Sequence, residues 1–414
     1  MRAPSLPFPV RAFNRLGAVG EALRVRWPGL HPEKLLESAR RRTGLEDFGG
    51  LSFLEGLRRL SEAWEKEAAL TPFGRILARS DALGYLENRL RIARVVGEHP
   101  EITRVRIEQP VFVVGMPRTG TTILHELLAQ DPANRVPMTW EVARPCPPPE
   151  RQTYETDPRI AEVQARLDRV DRILPDFKKM HPMGATLPQE CVAITAHEFA
   201  SLLFSTTHRV PSYTRWLLHE AELGPAYRFH RLFLQLLQWR CPGRRWVLKS
   251  PGHLWSLPAL LAEYPDARLV QTHRDPLRIV ASLTSLAVTL RSMASDKVDP
   301  KEIAREWSET LRVALERSVD ARERGLVRPE CVVDLSFGEL VADPIAAVRR
   351  IYERFDFKWT GEAERRMRSF LAAHPRDRYG PHVYRFANTG LDPVAEREKV
   401  RGYVERFDVP REEV

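Results

Sequence analysis

Four consecutive apolar residues, Val111-Phe112-Val113-Val114, lie between Pro110 and Gly115. A run this short with no polar alternation fits a strand covered on both faces, which is the condition of a parallel sheet with helices on either side. A helical pattern follows within ten residues, with Ile123, Leu124, Leu127 and Leu128 on one face. Further strand signals stand at Trp246-Val247-Leu248, Leu269-Val270-Gln271-Thr272 and Cys331-Val332-Val333, each separated from the next by helical periodicity. Strands alternating with helices predict an α/β fold, here a three-layer α/β/α core with a parallel sheet over residues 109–360.

The flanks read differently. Residues 1–108 carry helical patterns, with Ser52 and Glu55 at capping-box spacing and Thr71-Pro72 as an N-cap and first-turn pair. This periodicity ends near His99-Pro100. Four prolines between Pro145 and Pro149 predict a loop, and residues 150–243 read as a helical insertion. Residues 361–414 read as a helical and loop extension.

The chain has 414 residues, 43% hydrophobic and 29% charged, enough to bury a core without staples. No stretch approaches the roughly 18 apolar residues of a membrane span. The segment Met1 to Pro7 has no apolar core of a secretory leader. Cys146, Cys191, Cys241 and Cys331 form no CxxC pair, so they are expected to be reduced in a cytoplasmic protein. The net charge of +9 favours anionic ligands, but it is spread along the chain. It lacks the basic cluster with interleaved aromatics that nucleic-acid binding needs.

The chemistry concentrates after the first strand, in Gly115-Met116-Pro117-Arg118-Thr119-Gly120-Thr121-Thr122. The two glycines have the spacing of a phosphate-binding P-loop, in which backbone N–H groups at a helix start cradle an anion. Thr121 stands where a nucleoside-triphosphatase carries its lysine, and Arg118 offers a cation inside the loop instead. This string resembles the 5′-phosphosulfate loop of the sulfotransferases, which use 3′-phosphoadenosine-5′-phosphosulfate (PAPS) as donor. The resemblance implies that Arg118 contacts the sulfuryl group and that Thr119, Gly120, Thr121 and Thr122 hold the 5′-phosphate.

A second segment agrees. The strand ending at Thr272 leads into His273-Arg274-Asp275-Pro276, and Ser282 lies eight positions after Arg274. By resemblance, Arg274 and Ser282 bind the 3′-phosphate. Trp246-Val247-Leu248-Lys249-Ser250-Pro251-Gly252-His253 resembles the Lys-Thr-His region of cytosolic sulfotransferases, with Pro251-Gly252 inserted before His253. Val332 to Pro344 resembles the strand, turn and Asp-Pro helix start of the superfamily. Asn388-Thr389-Gly390-Leu391-Asp392 is an imperfect match to a terminal segment of the large bacterial group with a helical N-terminal region.

Sulfuryl transfer to a hydroxyl needs cations and a base, and Arg118 and Lys249 are expected to supply the charge without a metal. Three bases are open: Glu141, His253 and Glu190, of which Glu141 is favoured because one helix and a return strand bring it back to the loop. The acceptor is expected to be a small, lipophilic hydroxyl compound. A P-loop kinase is the competing reading; it would use Asp334 as a metal ligand and lacks its lysine. A catalytically silent nucleotide-binding protein is another. Oligomeric state is not legible.

Overall fold

The apolar run at 111–114 is the central strand of a five-stranded sheet, buried along its whole length. The computed structural model describes the chain except residues 1–3, 5, 23–26, 176, 178–179, 181, 244, 376–383 and 414. The reading of the chain start as free of a leader rests in part on residues 1–3 and 5, which lie outside the described residues.

Four helices precede the sheet: α1 (Phe8–Ala22), α2 (Pro32–Thr43), α3 (Leu54–Lys66) and α4 (Pro72–Glu98). Strand β1 (Val111–Val114), helix α5 (Thr121–Leu128), the short strand β2 (Asn134–Arg135) and helix α6 (Thr139–Ala143) follow. The insertion supplies α7 (Pro158–Ile173), α8 (Cys191–Thr195), α9 (Leu202–Thr207), α10 (Pro211–His219) and α11 (Gly224–Trp239). Strand β3 (Arg245–Lys249), α12 (Leu257–Glu263), β4 (Arg268–His273), α13 (Pro276–Arg291), α14 (Pro300–Glu323) and β5 (Val332–Ser336) complete the core. Helices α15 (Phe337–Ala342), α16 (Pro344–Arg354), α17 (Gly361–Ala373), α18 (Pro393–Lys399) and α19 (Arg401–Arg406) end it. No helix among the described residues is long and apolar enough to cross a membrane.

The strand order is β2-β3-β1-β4-β5, and every pairing is parallel. Alternate side chains of β1 therefore serve different layers. Phe112 and Val114 join a cluster with the N-terminal and insertion helices, whereas Val111 and Val113 join one with α5, α16 and α17. The chain passes from β1 to β2 and β3 on one side and then to β4 on the other. That reversal opens a crevice at the carboxyl ends of the strands, where open α/β sheets place their ligands.

Thr71 caps α4 as the sequence suggests, accepting from Gly74 N at 3.1 Å, and the helix ends at Glu98. The Ser52–Glu55 capping box does not form. Ser52 instead donates to Glu198 of the insertion at 2.9 Å, and Glu55 pairs with Arg58 and Arg59. Glu198 also forms a buried ion pair with Arg89 of α4, whose guanidinium lies over Phe53 and Phe229. These contacts bind the N-terminal helices to the insertion.

Burial lowers the pKa of five histidines. Burial holds His208 and His230 down to about 3, and His125 and His197 to about 4. His253 is held well below 6.5, by burial and then by neighbouring His230. All five are neutral at pH 7. Unfolded, they take up protons near pH 6.5; folded, only near pH 4 or lower, so acidification through this window favours unfolding. Each contributes up to about 1.4 kcal/mol per pH unit. The melting midpoint should therefore fall as the buffer goes from about pH 6.5 towards 5, and a flat profile there contradicts the neutral interior.

Candidate active site

The loop after β1 sits against the end of β4 with no room between them. A Cβ on Gly115 would lie 2.1 Å from Thr272 Oγ1, and one on Gly120 would lie 2.5 Å from Leu340 Cδ2. Gly120 also has φ +91°, a conformation only glycine adopts without strain. Thr119 turns its hydroxyl inward, 2.7 Å from the Met116 carbonyl and 2.6 Å from Thr272 Oγ1. Arg118 is held at φ +74°, and its carbonyl accepts from Arg274 Nη1 at 2.8 Å. Its own guanidinium donates to the Met180 carbonyl at 3.1 Å. The loop thus feeds directly into α5, whose first-turn N–H groups have no partner within the helix and face the crevice end.

Lys249 ends β3 beside this loop and is buried. Its ammonium forms an ion pair with Glu190 and stands 3.4 Å from Thr122 Oγ1. Glu190 is the residue before α8, and a backbone ribbon holds it there. Thr139 N donates to Leu187 O at 3.0 Å, Trp140 N to Ala185 O at 3.0 Å and Gln189 N to Pro137 O at 2.7 Å. The structure therefore brings Thr122, Lys249 and Glu190 together, while the Arg118 guanidinium turns to the Met180 carbonyl.

Glu141 has a different place. Its carboxylate is 0% exposed and accepts from Arg135 Nη2 at 2.6 Å, Met138 N at 2.9 Å and the Tyr154 hydroxyl at 3.0 Å. These bonds cap α6 and fix the strand-like segment that carries Glu190. The return strand expected to lead Glu141 to the loop is only two residues long, and the chain turns into α6 at once. His253 is likewise buried. Its Nδ1 shares a 2.7 Å hydrogen bond with the Tyr227 hydroxyl, which also meets Ser256 Oγ at 2.7 Å. Its ring packs edge-on against Phe112. Beside it runs a small cleft lined by Leu202, Leu217, Leu223, Tyr227, Ser250 and Trp255.

On the other side of β1, Arg274 follows β4 and donates to both oxygens of Glu412, at 2.7 and 2.9 Å. Ser282 is buried two turns along α13. Asp334, the metal ligand a kinase would need, is committed elsewhere: Arg322 donates to it at 2.7 and 3.1 Å, and His273 lies at 3.0 Å. Burial alone would raise its pKa, yet these partners hold it at about 2. Among the described residues no group of acidic, histidine or cysteine side chains has a metal-binding arrangement.

A sequence profile of the sulfotransferase family matches residues 110–361. The chain belongs to the sulfotransferase family. Its fold is similar to the crystal structure of sulfotransferase STF9 from Mycobacterium avium, with a TM-score of 0.86 and 34% identity over 93% of this chain and 98% of that one. It is also similar to sulfotransferase STF1 from Mycobacterium tuberculosis H37Rv, with a TM-score of 0.81 and 34% identity over 91% and 100% of the two chains. By sequence it is 27% identical to the omega-hydroxy-beta-dihydromenaquinone-9 sulfotransferase Stf3 of Mycobacterium bovis, over 64% of this chain and 68% of that protein.

Sequence reasoning on this sulfotransferase missed Glu412, Arg135 and Tyr227. Arg135 and Glu141 are six residues apart with Pro137 between them, a spacing with no helical meaning. Glu412 meets Arg274 across 138 positions, and no local signal announces such a contact. Glu141→Gln should destabilise the protein by about 3–5 kcal/mol, the cost of leaving a buried Arg135 without its anion. Denaturant unfolding measures this; an unchanged midpoint shows that the pair does not hold α6 in place.

Proposed function

We propose that this sulfotransferase transfers a sulfuryl group from PAPS to a hydroxyl of a lipophilic small molecule, with Glu190 as the base. The observation that carries this reading is the position of Lys249, which touches both Glu190 and Thr122. One cation thus links the head of the phosphate-loop helix to a carboxylate at the edge of the insertion.

The residues present fit the donor. Gly115 and Gly120 let the loop pack against Thr272 and Leu340, and the first turn of α5 offers N–H groups to a 5′-phosphate. Thr121 and Thr122 stand at that turn, while the Thr119 hydroxyl braces the loop against β4. Arg274 already grips a carboxylate with a two-point fork, the geometry that also suits a phosphate. Ser282 would join it at the 3′-phosphate. PAPS supplies the sulfuryl group and a leaving nucleotide, adenosine 3′,5′-bisphosphate. Arg118 and Lys249 would stabilise the charge that develops along the line of transfer. Glu190 would accept the proton of the attacking hydroxyl, and its contact with Lys249 aims it at the loop.

A lipophilic acceptor is in keeping with the cleft beside His253, whose walls include Leu202, Leu217, Leu223, Tyr227 and Trp255 together with the hydroxyl residues Thr195, Ser201, Ser250 and Ser256. It agrees with the relative named for a menaquinone derivative. The aromatic residues Phe199, Phe204, Tyr213, Trp216, Phe229 and Phe233 do not form this cleft; they pack in the main core. His253, neutral and bonded to Tyr227, would shape the cleft floor.

Two measurements test this. Adenosine 3′,5′-bisphosphate at a hundredfold excess over Kd should stabilise the protein by about 2.7 kcal/mol, and magnesium-ATP far less; equal stabilisation by ATP revives the kinase reading. Glu190→Gln should retain affinity for the bisphosphate and lower turnover by about 10²-fold or more, with His253→Asn costing less. Near-normal turnover in Glu190→Gln beside an inactive His253→Asn assigns the base to His253.

A further inference from the structure

The segment after α19 folds back over the start of α13. The Glu412 peptide N–H donates to Asp275 Oδ2 at 2.8 Å, and Arg397 of α18 reaches that same oxygen at 3.2 Å. Glu412 is thereby aimed at Arg274, whose Nε and Nη2 bond its two oxygens. One turn further along α13, Arg278 places its Nε 3.7 Å from the second oxygen. A single carboxylate thus sits between two guanidinium groups. Arg274 is 8% exposed in its side chain and Glu412 is 30% exposed, so the anion lies at the open mouth of the pair.

The Arg274 guanidinium is fixed by more than this carboxylate. Its Nη1 bonds the Arg118 carbonyl at 2.8 Å, and its plane lies over the Phe337 ring at 3.8 Å. The fork would keep its orientation if Glu412 moved away, and its two outward donors would then face solvent or a ligand.

We propose that Glu412 is an internal competitor for the 3′-phosphate of the nucleotide: its carboxylate occupies the anion position of Arg274 and Arg278 until a 3′-phosphate displaces it. This rests on the donor reading given above. A phosphate monoester carries more negative charge than a carboxylate and has the same two-point match to the fork. It can take the position that Glu412 holds. A nucleotide without a 3′-phosphate has nothing to exchange for Glu412 and meets a fork already neutralised. Glu412 therefore lowers the affinity of the correct nucleotide by the fraction of time it keeps the site, and it leaves nucleotides bound only through the 5′ loop unaffected.

The test is calorimetric titration of the wild type, Glu412→Ala and Glu412→Gln with adenosine 3′,5′-bisphosphate and with adenosine 5′-monophosphate. Both variants should bind the bisphosphate about tenfold more tightly, with the monophosphate changed by less than about twofold. Unchanged or weaker bisphosphate binding in both variants, while the wild type still prefers the bisphosphate, overturns the role of Glu412 and leaves the donor reading standing. Equal binding of the two nucleotides by the wild type and by both variants removes the donor reading and this proposal with it. Amide hydrogen exchange gives a second readout on the unmodified chain. The bisphosphate should raise exchange at Glu412 and the monophosphate should not; equal exchange under both nucleotides also overturns displacement.

Discussion

The loop after β1 lies against the end of β4 with the Thr119 and Thr272 hydroxyls between them, and the site depends on that contact. Gly115 permits it, the Thr119–Thr272 hydrogen bond fastens it, and the bond from Arg274 to the Arg118 carbonyl extends it across the crevice. The two halves of the nucleotide site are therefore one mechanical unit. A shift of β4 relative to β1 would move the phosphate loop and the Arg274 fork together. Parallel pairing of β1 with both β3 and β4 sets the same limit on Lys249, which leaves the sheet at the level of Val113.

Glu141 is buried and Glu190 half-buried, and the two carboxylates face different cations. Glu141 is bonded by a planar guanidinium, a peptide N–H and a phenol, and it is closed to solvent. Removing its charge strands Arg135 among Trp246 and Tyr154. Glu190 faces a lysine, a point charge on a flexible stem, at the rim where 16% of its side chain is open. A carboxylate so placed can exchange partners during a reaction. One locked in a saturated network cannot do so without breaking α6.

What was legible in the sequence follows the range of the forces concerned. The apolar run 111–114, the Thr71-Pro72 start of α4 and the Gly115–Gly120 loop are local patterns, each set by neighbours within a few positions. The parallel sheet followed from them because unbroken apolar strands need cover on both faces. The base proposed above was less legible. Glu141 lies at a regular distance from the loop, yet the position of Glu190 depends on pairing between residues 137–140 and 185–189, about fifty positions apart. The Ser52–Glu55 pair shows the same limit, since a distant carboxylate, Glu198, took the serine that a local cap would have used.

The cations of the crevice share one further property. Lys249 faces Glu190, and Arg274 with Arg278 faces Glu412, so each anion-binding position is balanced by a carboxylate of the chain itself. Burying an uncompensated cation is expensive, and a site made for a multiply charged nucleotide would otherwise hold several such charges in a low-dielectric crevice. Internal carboxylates lower that cost before the ligand arrives. Their exposure decides what happens next. Glu190 is held by the backbone ribbon, and in the proposed reaction its negative charge would remain useful once the donor is bound. Glu412 lies on a segment bonded to Asp275 and to the fork itself, so in the proposed exchange its charge would compete with the incoming phosphate. On the proposed reading, the same electrostatic need, met on two different supports, would give one carboxylate that stays for the chemistry and one that leaves.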